Sequence, residues 1–165
     1  MTKSEQSKKV ISEAMLRLLK TTEYDKITLQ AIVDEAGVSR MAFYRNYKSK
    51  EDVIRTWLKE VTNRFVAESG ISYKDDTQRE YFVTLFTHLK RHREICETLF
   101  KAGLSYLLKN EFDRIFLSIH DGEYNNYKSY FHAGGIYNVF SLWLINGCPE
   151  TPEQIADKLV GILER

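Results

Sequence analysis

Residues 37–50 contain Arg40, Arg45, Lys48 and Lys50 and no acidic side chain. An arginine can grip the O6 and N7 edge of guanine through two parallel hydrogen bonds. Asn46 can do the same for adenine, and the Ala42 methyl suits the thymine methyl. Tyr44, Tyr47, Lys48 and Lys50 can donate to phosphate oxygens and so fix register along a duplex. Arg40, Met41, Ala42, Arg45 and Asn46 fall on outward positions of a short helix capped by Ser39, and Thr28 caps the helix before it. Together these eleven residues are the candidate DNA-binding set. The alternative for the same stretch is an ordinary surface hairpin with a few basic residues.

Such side chains need rigid elements to present them. Thr28 is suited to open a helix carrying Leu29, Ile32 and Val33, and Ala36-Gly37-Val38 to close it, with Gly37 free to adopt a left-handed turn. Ser39 then opens a second short helix ending near Tyr47. Two short helices joined by a tight glycine turn let the second enter a major groove while the first braces it. Upstream, Ile11, Ala14, Met15, Leu18 and Leu19 form the apolar stripe of a helix running from about Lys3 to Lys20. Downstream, Ser49 and Asp52 resemble a capping box opening a long helix with the stripe Ile54, Trp57, Leu58, Val61 and Phe65.

Ser69 to Asp76 reads as a link. Beyond it, Phe82–Leu89, Ile95–Phe100 and Leu104–Ile119 carry helical periodicity, His120–Glu123 reads as a loop, and Tyr124–Asn146 as a long apolar helix stopped by Gly147-Cys148-Pro149. Thr151, Pro152 and Gln154 predict a capped last helix with proline at its first position. With only two prolines and eight glycines in 165 residues, long helices are favoured over a many-turned β fold. No strand or repeat is evident.

The stretch Thr28–Lys50 resembles the signature of the TetR family. That signature is a capped T-[hydrophobic]-x-x-[IV]-A-x-x-A-G-V-S followed by x-x-x-[FL]-Y-x-x-F-x-x-K. The positions that carry it are Thr28, Leu29, Ile32, Val33, Ala36, Gly37, Val38, Ser39, Phe43, Tyr44, Tyr47 and Lys50. It departs at Val33-Asp34, where many members have alanine, and at Tyr47, where phenylalanine is usual. The match runs from Val10 to about Leu58. The resemblance implies an all-α protein of about nine helices. A three-helix helix-turn-helix head at 1–50 and a connecting helix at 51–68 would precede an effector-binding and dimerisation domain at 69–165. It also implies a sequence-specific regulator on double-stranded operator DNA, acting as a repressor released by a small molecule. Control by a protein co-regulator, or action as an activator, is the alternative.

The C-terminal two-thirds is rich in aromatics. Phe82, Phe86, Tyr106, Phe116, Phe131 and Tyr137 are candidates to enclose a small apolar or aromatic effector, although core packing is the simpler role for most such rings. The resemblance implies a homodimer through the last two helices. The Tyr124–Asn146 helix is apolar on more than one face, so Ile136, Val139, Phe140, Trp143, Ile155, Leu159 and Ile162 are the candidate interface. Gly134 and Gly135 inside that helix suit either a kink or close approach of another backbone.

The net charge of +1 hides an uneven distribution. Residues 1–60 hold twelve Lys/Arg against nine Asp/Glu, and the remainder twelve against fourteen. His88 and His92 share a helix face, but Leu89 stands where a zinc-protease glutamate would, and no third ligand is evident. Ala102–Leu107 fails the nucleophile-elbow pattern at Leu107. No phosphate-binding glycine loop is present. Neither metal, cofactor nor enzymatic activity is expected. The polar Met1–Lys9 lacks the apolar core of a signal peptide, and Val139–Ile145 is too short for a membrane span, so a cytoplasmic, membrane-free protein is expected.

Overall fold

A computed structural model describes residues 2–70, 78–119 and 126–163. Among them are nine α-helices: α1 (Lys3–Thr21), α2 (Leu29–Ala36), α3 (Arg40–Asn46), α4 (Lys50–Ser69), α5 (Gln78–Arg91), α6 (Arg93–Lys101), α7 (Ser105–Ile119), α8 (Asn126–Ile145) and α9 (Pro152–Leu163). A short 3-10 turn at Tyr24–Lys26, not foreseen from the pattern, lies between α1 and α2. The chain divides into two compact units, Met1–Val61 and Thr62–Arg165, and α4 runs through the boundary. Most of the link expected up to Asp76, and the loop expected at His120–Glu123, lie outside the described residues. Ser69 still belongs to α4.

Helix ends follow local chemistry. Thr2 and Glu5 form a reciprocal capping box on α1, and Thr151 and Gln154 do the same on α9. The Thr28 and Ser39 hydroxyls accept from the Ala31 and Ala42 amides. Ser49 caps the Asp52 amide, while the Asp52 carboxylate accepts from the Lys48 amide one residue before the expected partner.

In the first unit, α1 packs on α2 and α3, and α2 on α3. Ile11, Met15, Ile32, Val33, Phe43, Val53 and Ile54 close the core. In the second unit, α5 pairs with α9, α7 with α8, and α6 with both α7 and α8. Phe82, Phe86, Leu99, Leu107, Phe116, Ile136 and Phe140 are fully buried there. Arg79 on α5 donates to Asp157 on α9 at 2.6 Å, and Arg93 on α6 donates to the Gly147 carbonyl at 3.0 Å, fixing the turn after α8.

The buried face of α8 carries Ile136, Phe140, Trp143 and Leu144. Ile136, Phe140 and Trp143, with Ile155 and Leu159 of α9, are therefore buried in this unit's own core and not exposed as expected. This corrects the expected interface. A helix that is apolar all round does not reveal from sequence which side turns inward. Val139 is half-buried, and Ile162 alone of that set is exposed.

His88 stacks on Phe65, near the end of α4, with ring centroids 4.1 Å apart, and lies 4.6 Å from the His92 ring. Burial, then His92 and Arg91, pushes His88 down to about 4. Burial and then Arg91 lower His92 too. The unfolded chain takes up these protons near pH 6.5 and the folded chain only well below it. Stability is therefore complete above about pH 6.5 and is lost as pH falls toward the folded value. With solvent screening at a half-buried site, the loss is roughly 1–2 kcal/mol. Thermal melting of the wild type between pH 7 and pH 5 (about one unfolded-state titration,) is expected to decline more steeply than that of His88→Phe. Parallel declines would show that His88 is not held neutral.

Candidate nucleic-acid interface

Gly37 ends α2 in the left-handed region, with φ +65° and ψ +34°. That turn brings α3 out of α2 at a fixed angle. The seven residues of α3 then divide sharply. Ala42 and Phe43 face inward, and Tyr47, just beyond the helix, is also buried. Met41 is 72 % exposed and Tyr44 60 %, and Arg40, Arg45 and Lys48 are exposed beside them. No acidic side chain lies on α3.

Several expected DNA contacts have structural occupations instead. Ala42 is buried, so its methyl is unavailable to a base. The Tyr47 ring is buried and its hydroxyl donates to the Lys8 carbonyl at 3.3 Å. Burial, followed by Glu60 and Asp52, pushes that phenol up to about 12, so it stays a neutral donor. Asn46 donates to the Ala42 carbonyl at 2.7 Å and accepts from the Ser4 hydroxyl at 2.8 Å, which ties α3 to the start of α1. The Lys50 ammonium donates to the Tyr24 and Ile27 carbonyls at 2.6 and 3.1 Å and lies over the Tyr24 ring. Apart from the Ala42 carbonyl, four positions before Asn46, these partners are 23 to 42 positions away in sequence, so spacing along α3 could not disclose them.

Gln30 is a contributor that was not foreseen. Arg40 donates through Nε to Gln30 at 2.8 Å, and Gln30 donates to Asp34 at 2.7 Å. The relay runs from α2 to α3 and holds the Arg40 guanidinium while its two terminal nitrogens still point donors elsewhere. A glutamine and an aspartate four apart on α2 are the only sequence sign of it. The brace is completed by Arg17 on α1, which pairs with Glu35 on α2 at 2.6 Å.

The effector candidates separate likewise. Phe82 and Phe116 both contact Tyr81 edge-on, and Phe112 links Phe116 to Tyr137. Phe86 packs edge-on against Trp143 at 5.2 Å. Tyr137 donates to the Ser105 carbonyl at 3.0 Å. Tyr106 and Phe131 lie on the surface. Cys96 and Cys148 are buried free thiols. No helix among the described residues is long and apolar enough to cross a membrane, and no group of three or more His, Cys, Asp or Glu among them could hold a metal ion.

The Lys50 geometry makes a stability prediction. Lys50→Met should lower the unfolding free energy by roughly 1–2 kcal/mol, because two carbonyl acceptors lose a charged donor. Denaturant titration by circular dichroism measures this. An unchanged midpoint would return Lys50 to a purely DNA-contacting role.

Residues 11–56 match the family described as bacterial regulatory proteins, tetR family, and residues 76–165 match a transcriptional regulator C-terminal region. No curated protein sequence matches the chain. Among solved structures, the fold is similar to a TetR transcriptional regulator from Streptococcus agalactiae 2603V. That likeness has a TM-score of 0.71 at 20 % identity, covering 98 % of this chain and 96 % of that one. It is also similar to the dihydroxyacetone kinase operon activator DhaS, with a TM-score of 0.56 at 17 % identity over 95 % and 93 % of the two chains. With both its head and its C-terminal region matched, the chain belongs to the TetR family and is a DNA-binding transcriptional regulator, not an enzyme.

Proposed function

We propose that the protein is a repressor that reads a two-fold operator as a homodimer and releases it when an effector engages the second unit. One observation carries the DNA-reading part: the outward side of α3 presents Arg40, Met41, Tyr44, Arg45 and Lys48 with no acid among them. Arg40 and Met41, at the N-terminal end of α3, stand where a recognition helix meets base edges. Tyr44 and Lys48 are suited to phosphates. The Thr28 and Ser39 hydroxyls accept from their own helices and keep a hydrogen to donate to a phosphate oxygen.

The pairing surface we assign is the outer side of α8. Phe131 is 74 % exposed, Leu142 62 % and Ile145 69 %. With Gly135 and Asn138 they recur at three- and four-residue spacing along one face. A Cβ added at Gly134 or Gly135 would meet nothing within 4 Å in this chain, which leaves room for another helix to come close. Ile162 on α9 is exposed as well. A single short recognition helix covers few base pairs, so two copies are needed to reach two half-sites about 34 Å apart.

Control by a protein partner is the second reading, and the placement of the aromatics supports it. Phe82, Phe86 and Phe116 are committed to the core, whereas Tyr106 and Phe131 are on the surface. The name of one fold neighbour, an operon activator, likewise leaves activation open as an alternative to repression.

Two measurements check the main reading. In titrations against operator variants, Arg40→Ala should relax base preference by ~1–3 kcal/mol at one position, while Tyr44→Phe should weaken all sequences alike. Gln30→Ala should reproduce part of the Arg40→Ala effect. No change in any of the three would remove α3 from the interface. In sedimentation, the wild type should be a dimer at micromolar concentration. Leu142→Asp should be a folded monomer with operator affinity reduced toward the non-specific level, about 10³-fold or more. A wild-type monomer, or a Leu142→Asp dimer, would overturn the assigned surface.

A further inference from the structure

A groove of about 480 Å³ lies between the first turns of α1 and the α2–α3 turn. Lys3 and Gln6 line it from α1, Arg45 and Asn46 from α3, and Val10 and Val38 contribute apolar surface. None of its lining residues is acidic. Lys3, Gln6 and Arg45 are exposed, while Val10 and Val38 are half-buried. The nearest acid along α1, Glu5, is turned back onto the Thr2 amide at 2.6 Å.

From this geometry we infer that the groove seats the sugar–phosphate backbone of one operator strand, making the start of α1 a second DNA-contacting element beside α3. The inference rests on the reading of α3 as the helix that enters the major groove. A helix in the major groove has a phosphate backbone running alongside it, and this groove is continuous with α3 through Arg45 and Asn46. Its chemistry fits that occupant. Lys3 and Arg45, on opposite walls, suit successive phosphates, the Gln6 amide can donate to either, and the two valines suit the apolar side of a deoxyribose. Arg45 makes no hydrogen bond or ion pair among the described residues, so its donors are open for a phosphate. This places Arg45 on the backbone, whereas sequence alone suggested a base.

The Ser4–Asn46 hydrogen bond joins the two walls directly. The groove is therefore held at its width before DNA arrives, and Asn46 acts as a positioning residue. Preformed geometry of this kind spares the cost of ordering the arm on binding.

The test is the salt dependence of binding to a short duplex of arbitrary sequence, where phosphate contacts dominate. Lys3→Ala should reduce the slope of log affinity against log salt by about 0.9, the value for one lost phosphate contact. Gln6→Ala should weaken binding with the slope unchanged. Lys9→Ala, exposed on the same helix but paired with Glu13 and outside the groove, should leave both affinity and slope as in the wild type. Arg40→Ala, read on operator variants, reports on α3 separately. A wild-type slope in Lys3→Ala, with the Arg40→Ala effect intact, would overturn the groove assignment alone. Loss of the Arg40→Ala effect as well would overturn the reading of α3 beneath it.

Discussion

The DNA-reading head is organised around a shortage of length. Its recognition helix α3 has seven residues, and an isolated helix that short does not persist in water. Its shape has to be imposed by neighbours. Phe43 and Tyr47 press its inner side into the core, Asn46 ties it to Ser4, and the Tyr47 hydroxyl ties it to Lys8. Lys50 then clamps the turn before α2 to the start of α4. Each tie occupies a polar group within the head, and Arg40, Met41, Tyr44, Arg45 and Lys48 remain on the exposed side.

This division explains what was legible in the sequence. Caps are local, so Thr28, Ser39 and the Thr151–Gln154 pair announced their helices, and Gly37 announced its turn. The choice of outward residues on α3 was only partly legible. Over two turns of helix, periodicity separates inside from outside poorly: Ala42 proved buried, and the Asn46 amide is taken up by Ser4 and the Ala42 carbonyl. Tyr47 and Lys50 looked like phosphate donors because tyrosine and lysine often are. Their partners here are carbonyls on distant segments, which no spacing rule reaches.

The second unit poses a similar problem on a larger scale. Phe82, Phe86, Phe116 and Phe140 fill a core rich in ring contacts, and α8 spends one apolar side on that core while leaving Phe131, Leu142 and Ile145 exposed. An exposed apolar stripe on a long helix is unfavourable in water unless something covers it. The sequence shows an excess of apolar residues on α8, but only the packing shows which ones are surplus. Most of the interface residues expected from sequence lie instead on the inner side of α8 and α9, packed into this unit's own core.

The proposed DNA reading by two symmetric copies of α3 can be examined without knowing the operator. Repeated selection of the protein's targets from a pool of random duplexes should enrich an inverted repeat. Its half-sites should be centred about one helical turn, ~34 Å, or a multiple of it apart. A pool that stays random, or that converges on a single unrepeated site, would contradict it.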